Sequence, residues 1–367
     1  MKENWEYKKL GEVLSIINGK NQSNVQCSDG EYPIYGSGGI MGYASEWLCP
    51  ENCVIIGRKG NINKPIFVST KFWNVDTAFG LNSNKELLNP RFLYYFCKDY
   101  NFERHNKAVT IPSLTKADLV KIPIPLPPME EQERIVAELD LLQSVIDKKK
   151  AQLDEYDKLA QSIFYEMFGD PIDNPKKWEV KKLGDECSEI RYGTSKPACE
   201  NGKYKYLRMG NITNDGFLDL SNIKTIDIPD DEVEKCVVRY GDILFNRTNS
   251  LDLIGKTCMF DLEEPMIIAG YIIRVRLSKK LMPRYVSTMF NIPSMKLHLK
   301  KMAKGAVNQA NINSKELASI IIPLPPLSLQ QSFAEKIEAI EHQKELVKQS
   351  LNEVKTLFDS RMDYYFN

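Results

Sequence analysis

Apolar residues at Ile135, Leu139, Leu142, Ile146, Leu153, Tyr156, Ala160, Ile163 and Met167 recur at alternating spacings of four and three, with Lys149 filling one further place in the series. This is the seam of a coiled-coil helix. Adding 198 to each position gives Phe333, Ile337, Ile340, Lys344, Val347, Leu351, Val354, Phe358, Arg361 and Tyr365, so a second helix carries the same phase with two polar interruptions. Pro127 and Pro128 cannot lie in a helix interior, and Ser328 with Gln331 has the spacing of a capping box, which places the helix starts near residues 129 and 328. The first helix is predicted to stop at "FGDP", where Gly169 suits a left-handed cap and Pro171 blocks continuation. At about 1.5 Å per residue, a helix of roughly 39 residues would be about 58 Å long.

The helices belong to a longer repeat. "WEYKKLGE" at residues 5–12 matches "WEVKKLGD" at 178–185 at six of eight positions, an offset of 173. "AVTIPSLTKADLVKIPIPLPP" (108–128) aligns without a gap on "AVNQANINSKELASIIIPLPP" (306–326), an offset of 198, so the second half holds 25 more residues between the two motifs. The chain reads as a tandem duplication with diverged middles. A proline-rich recognition ligand is the alternative for "IPLPP", but the run is apolar, occurs twice and abuts a helix start each time. Its restricted dihedrals are expected to fix the exit angle from a globular domain into its helix.

Between these motifs the pattern is mixed. "CVIIGRKGNINKPIFV" (53–68) and "GDILFNRTNSLDLIGKTCMF" (241–260) read as strand pairs around polar turns, and "RFLYYFCKDY" (91–100) and "RYVSTMFNI" (284–292) as short helices. The fold class expected is α+β, two mixed globular domains separated by two long helices. The divisions are 1–129 and 169–327 for the domains, and 130–168 and 328–367 for the helices.

A length of 367 residues with 43% hydrophobic and 27% charged residues suits two folded domains. The N-terminus lacks a signal-peptide core and no stretch is long enough for a membrane helix, which points to a cytoplasmic protein. Eight scattered cysteines without a CxxC pair are expected to be buried free thiols rather than metal ligands. The formal net charge is zero, yet its distribution is uneven: +3 over residues 1–129, −5 over 130–168, +4 over 169–327 and −2 over 328–367. A polyanion would therefore meet the globular parts.

No catalytic constellation is recognisable. The Asp/Asn-Pro-Pro-aromatic motif of amine-directed DNA methyltransferases is absent, "YGSGGIMG" (35–42) fails the dinucleotide-binding spacing, and "SLDLIGKT" (250–257) has Ser250 where a phosphate loop needs glycine. Polar clusters suited to nucleic acid do recur: Arg58 and Lys59 in "GRKGNINK" correspond to Arg247 and Thr248 in "NRTNSLDLIGK". A solvated polar turn is the alternative for any one of them, and recurrence favours the functional reading for the group.

Taken as a set, the paired "WExKKLG" openings, the two "IPLPP" runs with Gln132 and Gln330 behind them, "YPIYGSGGIMGY" (32–43) and "IIGRKG…WNVDTAF" (55–79) resemble the specificity subunit of type I restriction-modification systems over essentially the whole chain. The resemblance implies a sequence-specific DNA-binding subunit whose two target recognition domains each read part of a bipartite double-stranded site. It implies helices paired antiparallel as a spacer that docks DNA methyltransferase subunits, two being expected, joined by a restriction and translocase subunit. Val136, Val145, Leu159 and Phe164, just off the seam, would offer the docking surface. Catalysis, and with it S-adenosylmethionine and ATP, would belong to the partners, leaving this chain without catalytic residue, cofactor or metal. The DNA-contact candidates in the first half are Lys20, Gly38, Gly39, Arg58, Lys59, Asn61, Lys64 and Thr110. In the second half they are Arg191, Ser195, Lys196, Arg208, Asn246, Arg247, Thr248, Asn249, Lys256, Asn308, Gln309 and Asn311. Because "YGSGGIMGY" and "DTAF" are missing from the second half, its approach to DNA need not use the same loops. A coiled-coil scaffold without a DNA role, or a fragment of a single-chain restriction enzyme, are the competing readings.

Overall fold

A computed structural model describes residues 5–106, 111–306 and 309–367. The chain divides into two compact units, Met1–Ala151 with Lys348–Asn367, and Gln152–Val347, so each long helix gives one half to each unit.

In the first unit the strands are β1 (Glu6–Lys9), β2 (Leu14–Asn18), β3 (Tyr32–Gly36), β4 (Gly39–Ala44), β5 (Cys53–Gly57), β6 (Ile66–Val68), β7 (Trp73–Asn74), β8 (Ala78–Ser83) and β9 (Pro123–Leu126). The helices are α1 (Leu10–Val13), α2 (Pro90–Asp99), α3 (Lys116–Leu119) and the first part of α4 (Met129–Phe168), which passes into the second unit after Ala151. The second unit holds β10 (Val180–Lys182), β11 (Cys187–Tyr192), β12 (Tyr204–Leu207), β13 (Lys224–Ile226), β14 (Val237–Val238), β15 (Ile243–Asn246), β16 (Thr248–Asn249) and β17 (Thr257–Met259). It continues with β18 (Met266–Ile268), β19 (Ile272–Leu277), β20 (Lys304–Ala306), β21 (Gln309–Asn311) and β22 (Ile321–Pro323). Its helices are α5 (Asp230–Cys236), α6 (Pro283–Asn291), α7 (Pro293–Met302), α8 (Ser314–Ala318) and the first part of α9 (Leu327–Phe366), which passes into the first unit after Val347.

The principal sheet has one plan in both units, β2-β8-β5-β6 and β11-β19-β15-β17, every neighbouring pair antiparallel. The predicted hairpins are β5–β6 and β15–β17, and the two short helices are α2 and α6. A second sheet, β4-β3-β7 or β13-β12-β18-β14, keeps a parallel pair at equivalent places, β3 beside β7 and β12 beside β18. The two halves diverge here. A two-residue turn, Ser37–Gly38, joins β3 to β4, whereas residues 208–223 join β12 to β13, and α5 has no counterpart. Much of the extra length foreseen in the second half lies in these segments.

The repeated opening and closing motifs are the two strands of one ribbon. β1 pairs β9 from Glu6↔Leu126 to Lys9↔Pro123, and β10 pairs β22 from Val180↔Pro323 to Lys182↔Ile321. A ribbon of two strands has only edges, so prolines without an N–H are tolerated there. Behind each ribbon a buried glutamine locks the helix start. Gln132 Oε1 accepts from Asn89 N (2.8 Å) and its amide donates to the carbonyls of Leu87 and Pro127 (2.9 Å each). Gln330 accepts from Met282 N (2.9 Å) and donates to Lys280 (3.0 Å) and Pro325 (2.9 Å). Asn89 and Met282 are the residues that cap α2 and α6, so one amide ties two helix starts together in each unit.

Gly169, at φ +77°, closes α4 as expected. The capping box foreseen at Ser328 is not formed: the Pro326 carbonyl takes the Gln330 N–H, and Ser328 already lies within α9. Within each unit the helix halves run antiparallel. In the first, Tyr365 Oη donates to Glu138 Oε2 (2.6 Å) and accepts from Arg134 (3.5 Å), and Arg361 pairs with Glu138 (2.6 Å). In the second, Phe333 packs on Phe164 and Phe168, and the buried seam residue Lys344 is ion-paired with Asp157 under the Phe217 ring.

The off-seam residues are only partly the free surface expected. Phe164 is buried, stacked 5.7 Å from the Tyr285 ring of α6, and Val136 is buried as well, because each helix packs one face on its partner half and another on its own domain. Val145 is half-buried, and Leu159 is 45% exposed. All eight cysteines are free thiols, although Cys27 and Cys199 are exposed and Cys187 half-buried, against the expectation that all would be inside. No helix among the described residues is long and apolar enough to cross a membrane.

Candidate nucleic-acid interface

Strand order places the candidates. β2 and β5 both run antiparallel to β8, so their C-terminal ends meet the start of β8 at one end of the sheet, with Asn18 opposite Phe79 and Gly57 opposite Ala78. The residues that leave those strands form a rim. Arg58 N donates to Thr77 O (2.8 Å), Leu114 N donates to Arg58 O (2.9 Å) and Gly60 N donates to Pro112 O (3.0 Å). The Arg58 guanidinium lies 5.8 Å from the centre of the Phe79 ring, a cation over an aromatic face. Gly60, at φ +79°, is in the left-handed region that the tight turn needs.

Lys20 follows β2 on this rim, where its carbonyl accepts from Trp73 Nε1 (3.0 Å). Lys59, Asn61 and Lys64 are exposed on the β5–β6 loop. Gly38 and Gly39 form the tip of the β3–β4 hairpin, and a Cβ built on Gly38 would lie 3.7 Å from Asn61 Nδ2, so tip and loop are neighbours. Among the described residues, no carboxylate forms an ion pair with Lys20, Arg58, Lys59 or Lys64; Asp76 is an exposed acid on the same rim. Thr110 lies outside the described residues.

The second unit rebuilds this rim from a different sequence. Arg247 follows β15 as Arg58 follows β5: its N–H donates to Tyr271 O (3.0 Å) and its carbonyl accepts from Ile312 N (2.9 Å). Its guanidinium lies 4.8 Å from the Tyr192 ring centre, and Tyr192 Oη accepts from Ser314 N (2.8 Å). Burial opposes ionisation of Tyr192, but the Ser314 hydrogen bonds and the Arg247 cation outweigh it and hold the phenol below its ordinary value. Arg247 Nε is buried without a partner.

The remaining candidates divide by availability. Asn249, Gln309 and Asn311 lie on the small β16-β21-β20 sheet, Asn249 and Asn311 half-buried and Gln309 exposed. Thr248 is buried and donates to Asn311 Oδ1 (2.9 Å). Asn246 is fully buried, its backbone closing the β15–β17 loop on Lys256 and Gly255. Asn246 and Thr248 therefore brace the turn from inside instead of presenting side chains, a distinction that a list of polar residues does not carry. Arg191 is exposed but paired with Glu189 (2.6 Å), and Lys196 is paired with Glu232 (3.0 Å), with Ser195 exposed between them. Arg208 opens the long β12–β13 connection and donates to Asn222 O (2.9 Å), while Lys256 donates to Ile212 O (3.3 Å). Asn308 lies outside the described residues.

Sequence reasoning missed the aromatic supports Phe79 and Tyr192, the exposed Tyr271 that carries the Arg247 hydrogen bond, and the exposed Ile40 and Met41. Apolar side chains between the glycines of "GGIMG" were the available signal for the last pair. Among the described residues no cluster of three or more His, Cys, Asp or Glu is placed to hold a metal ion. What the rims offer is a set of guanidinium, ammonium, amide and backbone groups, the chemistry that meets phosphates and base edges.

Comparison with known proteins agrees with this plan. The family described as type I restriction modification DNA specificity domain matches residues 2–155 and again 175–356. The chain is 24% identical over 332 residues to the type I restriction enzyme EcoKI specificity subunit of Escherichia coli K12, covering 84% of this chain and 71% of that protein. It is 24% identical over 385 residues to the MjaVIII specificity subunit of Methanocaldococcus jannaschii, covering 96% and 89%. Among solved structures, the type I restriction-modification S subunit from M. genitalium superposes with a TM-score of 0.63 at 15% identity, covering 99% of this chain and 96% of that one. A chain from a structure of type I system assembly and conformational transition gives 0.58 at 20% identity, covering 100% and 98%. With both family segments matched and the two-domain repeat present, this chain belongs to the type I restriction-modification specificity subunit family.

Proposed function

We propose that the chain is the DNA-reading subunit of a type I restriction-modification complex, each unit reading one half of a bipartite duplex target through its strand-end rim. The observation that carries this is the matched pair Arg58 and Arg247, held by the same two backbone hydrogen bonds at the end of the same sheet in two domains of different sequence. Unpaired cations on the first rim would meet phosphates, and a guanidinium fixed at its backbone and over a ring is poised for a guanine edge. Divergence between the rims supports two different half-sites. The coiled-coil scaffold reading accounts for α4 and α9 but leaves the two rims without a role.

Methylation and cleavage are proposed to reside in partner subunits, which would also hold S-adenosylmethionine and ATP. The proposed methyltransferase contacts are two separate helix positions, Leu159 in the second unit and its repeat equivalent Leu357 in the first, each about half exposed. Selection from a random duplex pool, with the chain alone and with a co-expressed methyltransferase subunit, tests the reading. Enrichment of one split sequence is expected, and no enrichment in either condition contradicts it.

A further inference from the structure

The β3–β4 hairpin shows a combination that the cationic rim does not explain. Ile40 is 57% exposed and Met41 59% exposed, on the edge strand of a small sheet. Glycines at 36, 38, 39 and 42 surround them, so few side chains shelter either one. Met41 lies across Gly36, where any Cβ would come within 2.6 Å of its sulfur; the glycine makes room for the methionine. The tip is continuous with the rim, since Gly38 neighbours Asn61 and a Cβ on Gly60 would lie 3.9 Å from Ser37 Oγ. Val75 N, two residues before Thr77, donates to Tyr35 O (3.0 Å) and fixes the hairpin to the segment that also holds Arg58.

Resting on the function proposed above, we infer that this hairpin is an apolar base-reading element of the first half-site, with Ile40 and Met41 packing against thymine C5-methyl groups in the major groove. A two-stranded ribbon fits that groove, and the thymine methyl is the one apolar feature its floor presents. Neighbouring Lys59 and Lys64 would hold the phosphates on either side while the tip, which has no charge to spend on them, contacts the bases. The second unit has no equivalent hairpin tip: 16 residues, 208–223, beginning with Arg208, replace the two-residue turn.

The test uses the full-length chain, with its methyltransferase subunit where binding requires it, on the duplex selected as above. Thymines of the first half-site are replaced one at a time by uracil, which removes only the methyl group. One or two replacements are expected to weaken wild-type binding by about fourfold each, the worth of one buried methyl. Ile40→Ala or Met41→Ala should lose a similar factor on thymine DNA and nothing further on the matching uracil DNA, with the salt dependence unchanged because no charge is removed. Uracil throughout the half-site without loss, a half-site lacking thymine, or equal losses by the variants on both DNAs overturns the inference while leaving the DNA-reading function intact. Loss of self-association in the variants with an unchanged methyl response assigns the hairpin to a second copy of the chain and also overturns it. A chain that selects no DNA at all overturns the proposed function, and this inference with it.

Discussion

Arg58 and Arg247 occupy one structural position in two sequences that share little around it. Each donates its backbone N–H across the sheet end, to Thr77 or to Tyr271, and each lays its guanidinium on an aromatic ring. The rings come from different strands, Phe79 from β8 and Tyr192 from β11, so the side chains leave equivalent backbone sites in different directions. Arg58→Ala and Arg247→Ala are each expected to relax specificity in one half-site only, at a cost of about 1 to 3 kcal/mol if the contact is bidentate to guanine. A contact to phosphate alone would instead weaken all sequences equally and make the salt dependence shallower. Competition binding against duplexes altered in one half-site at two salt concentrations separates these, and unchanged affinity in both variants removes the arginines from the interface.

Gln132 and Gln330 are expected to be structural keystones. Gln132→Ala orphans the Asn89 N–H and two carbonyls in a buried site, which should cost about 2 to 4 kcal/mol. Denaturant unfolding is the measurement, and a loss below about 0.5 kcal/mol, the range of ordinary surface substitutions, would contradict the clamp.

Leu159 and Phe164 should behave as opposites. Phe164→Ala removes a ring stacked on Tyr285 in the core of the second unit and is expected to destabilise it by about 3 to 5 kcal/mol. Leu159→Asp combined with Leu357→Asp should leave the melting temperature near wild type and abolish co-purification with a methyltransferase subunit. Retained co-purification would place the docking surface elsewhere.

Glu341 gives a pH signature. Burial holds its carboxyl above the ordinary glutamate value of 4.5, against the pull of Arg284 at 3.0 Å. The folded chain then binds this proton more tightly than the unfolded chain does. Its contribution to stability is full below the unfolded value and is lost as pH rises through the raised folded one. Denaturant titrations between pH 4 and 7 should show wild type losing stability with rising pH relative to Glu341→Gln. Parallel curves would contradict the assignment.

The repeat and the long helices were legible because periodicity and self-similarity survive in sequence whatever the tertiary contacts. The second buried face of those helices was not: Phe164 and Val136 fall beside the seam, and only packing against α6 or the first domain separates buried from exposed there. The equivalence of β12 with β3 was hidden for a related reason, since the parallel pairing persists while the glycine-rich turn is replaced by residues 208–223. At the rims, the arginine positions could be read from turn composition. Which polar neighbours face solvent could not, because Asn246 and Asn249 look alike in sequence and differ only in burial.

The most direct test of two independent reading units is an exchange of middles. Residues 20–107, which lie between the shared opening and closing motifs of the first half, are replaced by the equivalent region of a relative with a different target, and the recognised sequence is determined by selection from random duplexes. The expected result is one altered half-site, with the other half and the gap between them unchanged, because residues 194–305 and both long helices are untouched. A change in both halves, or in the gap, would contradict the account.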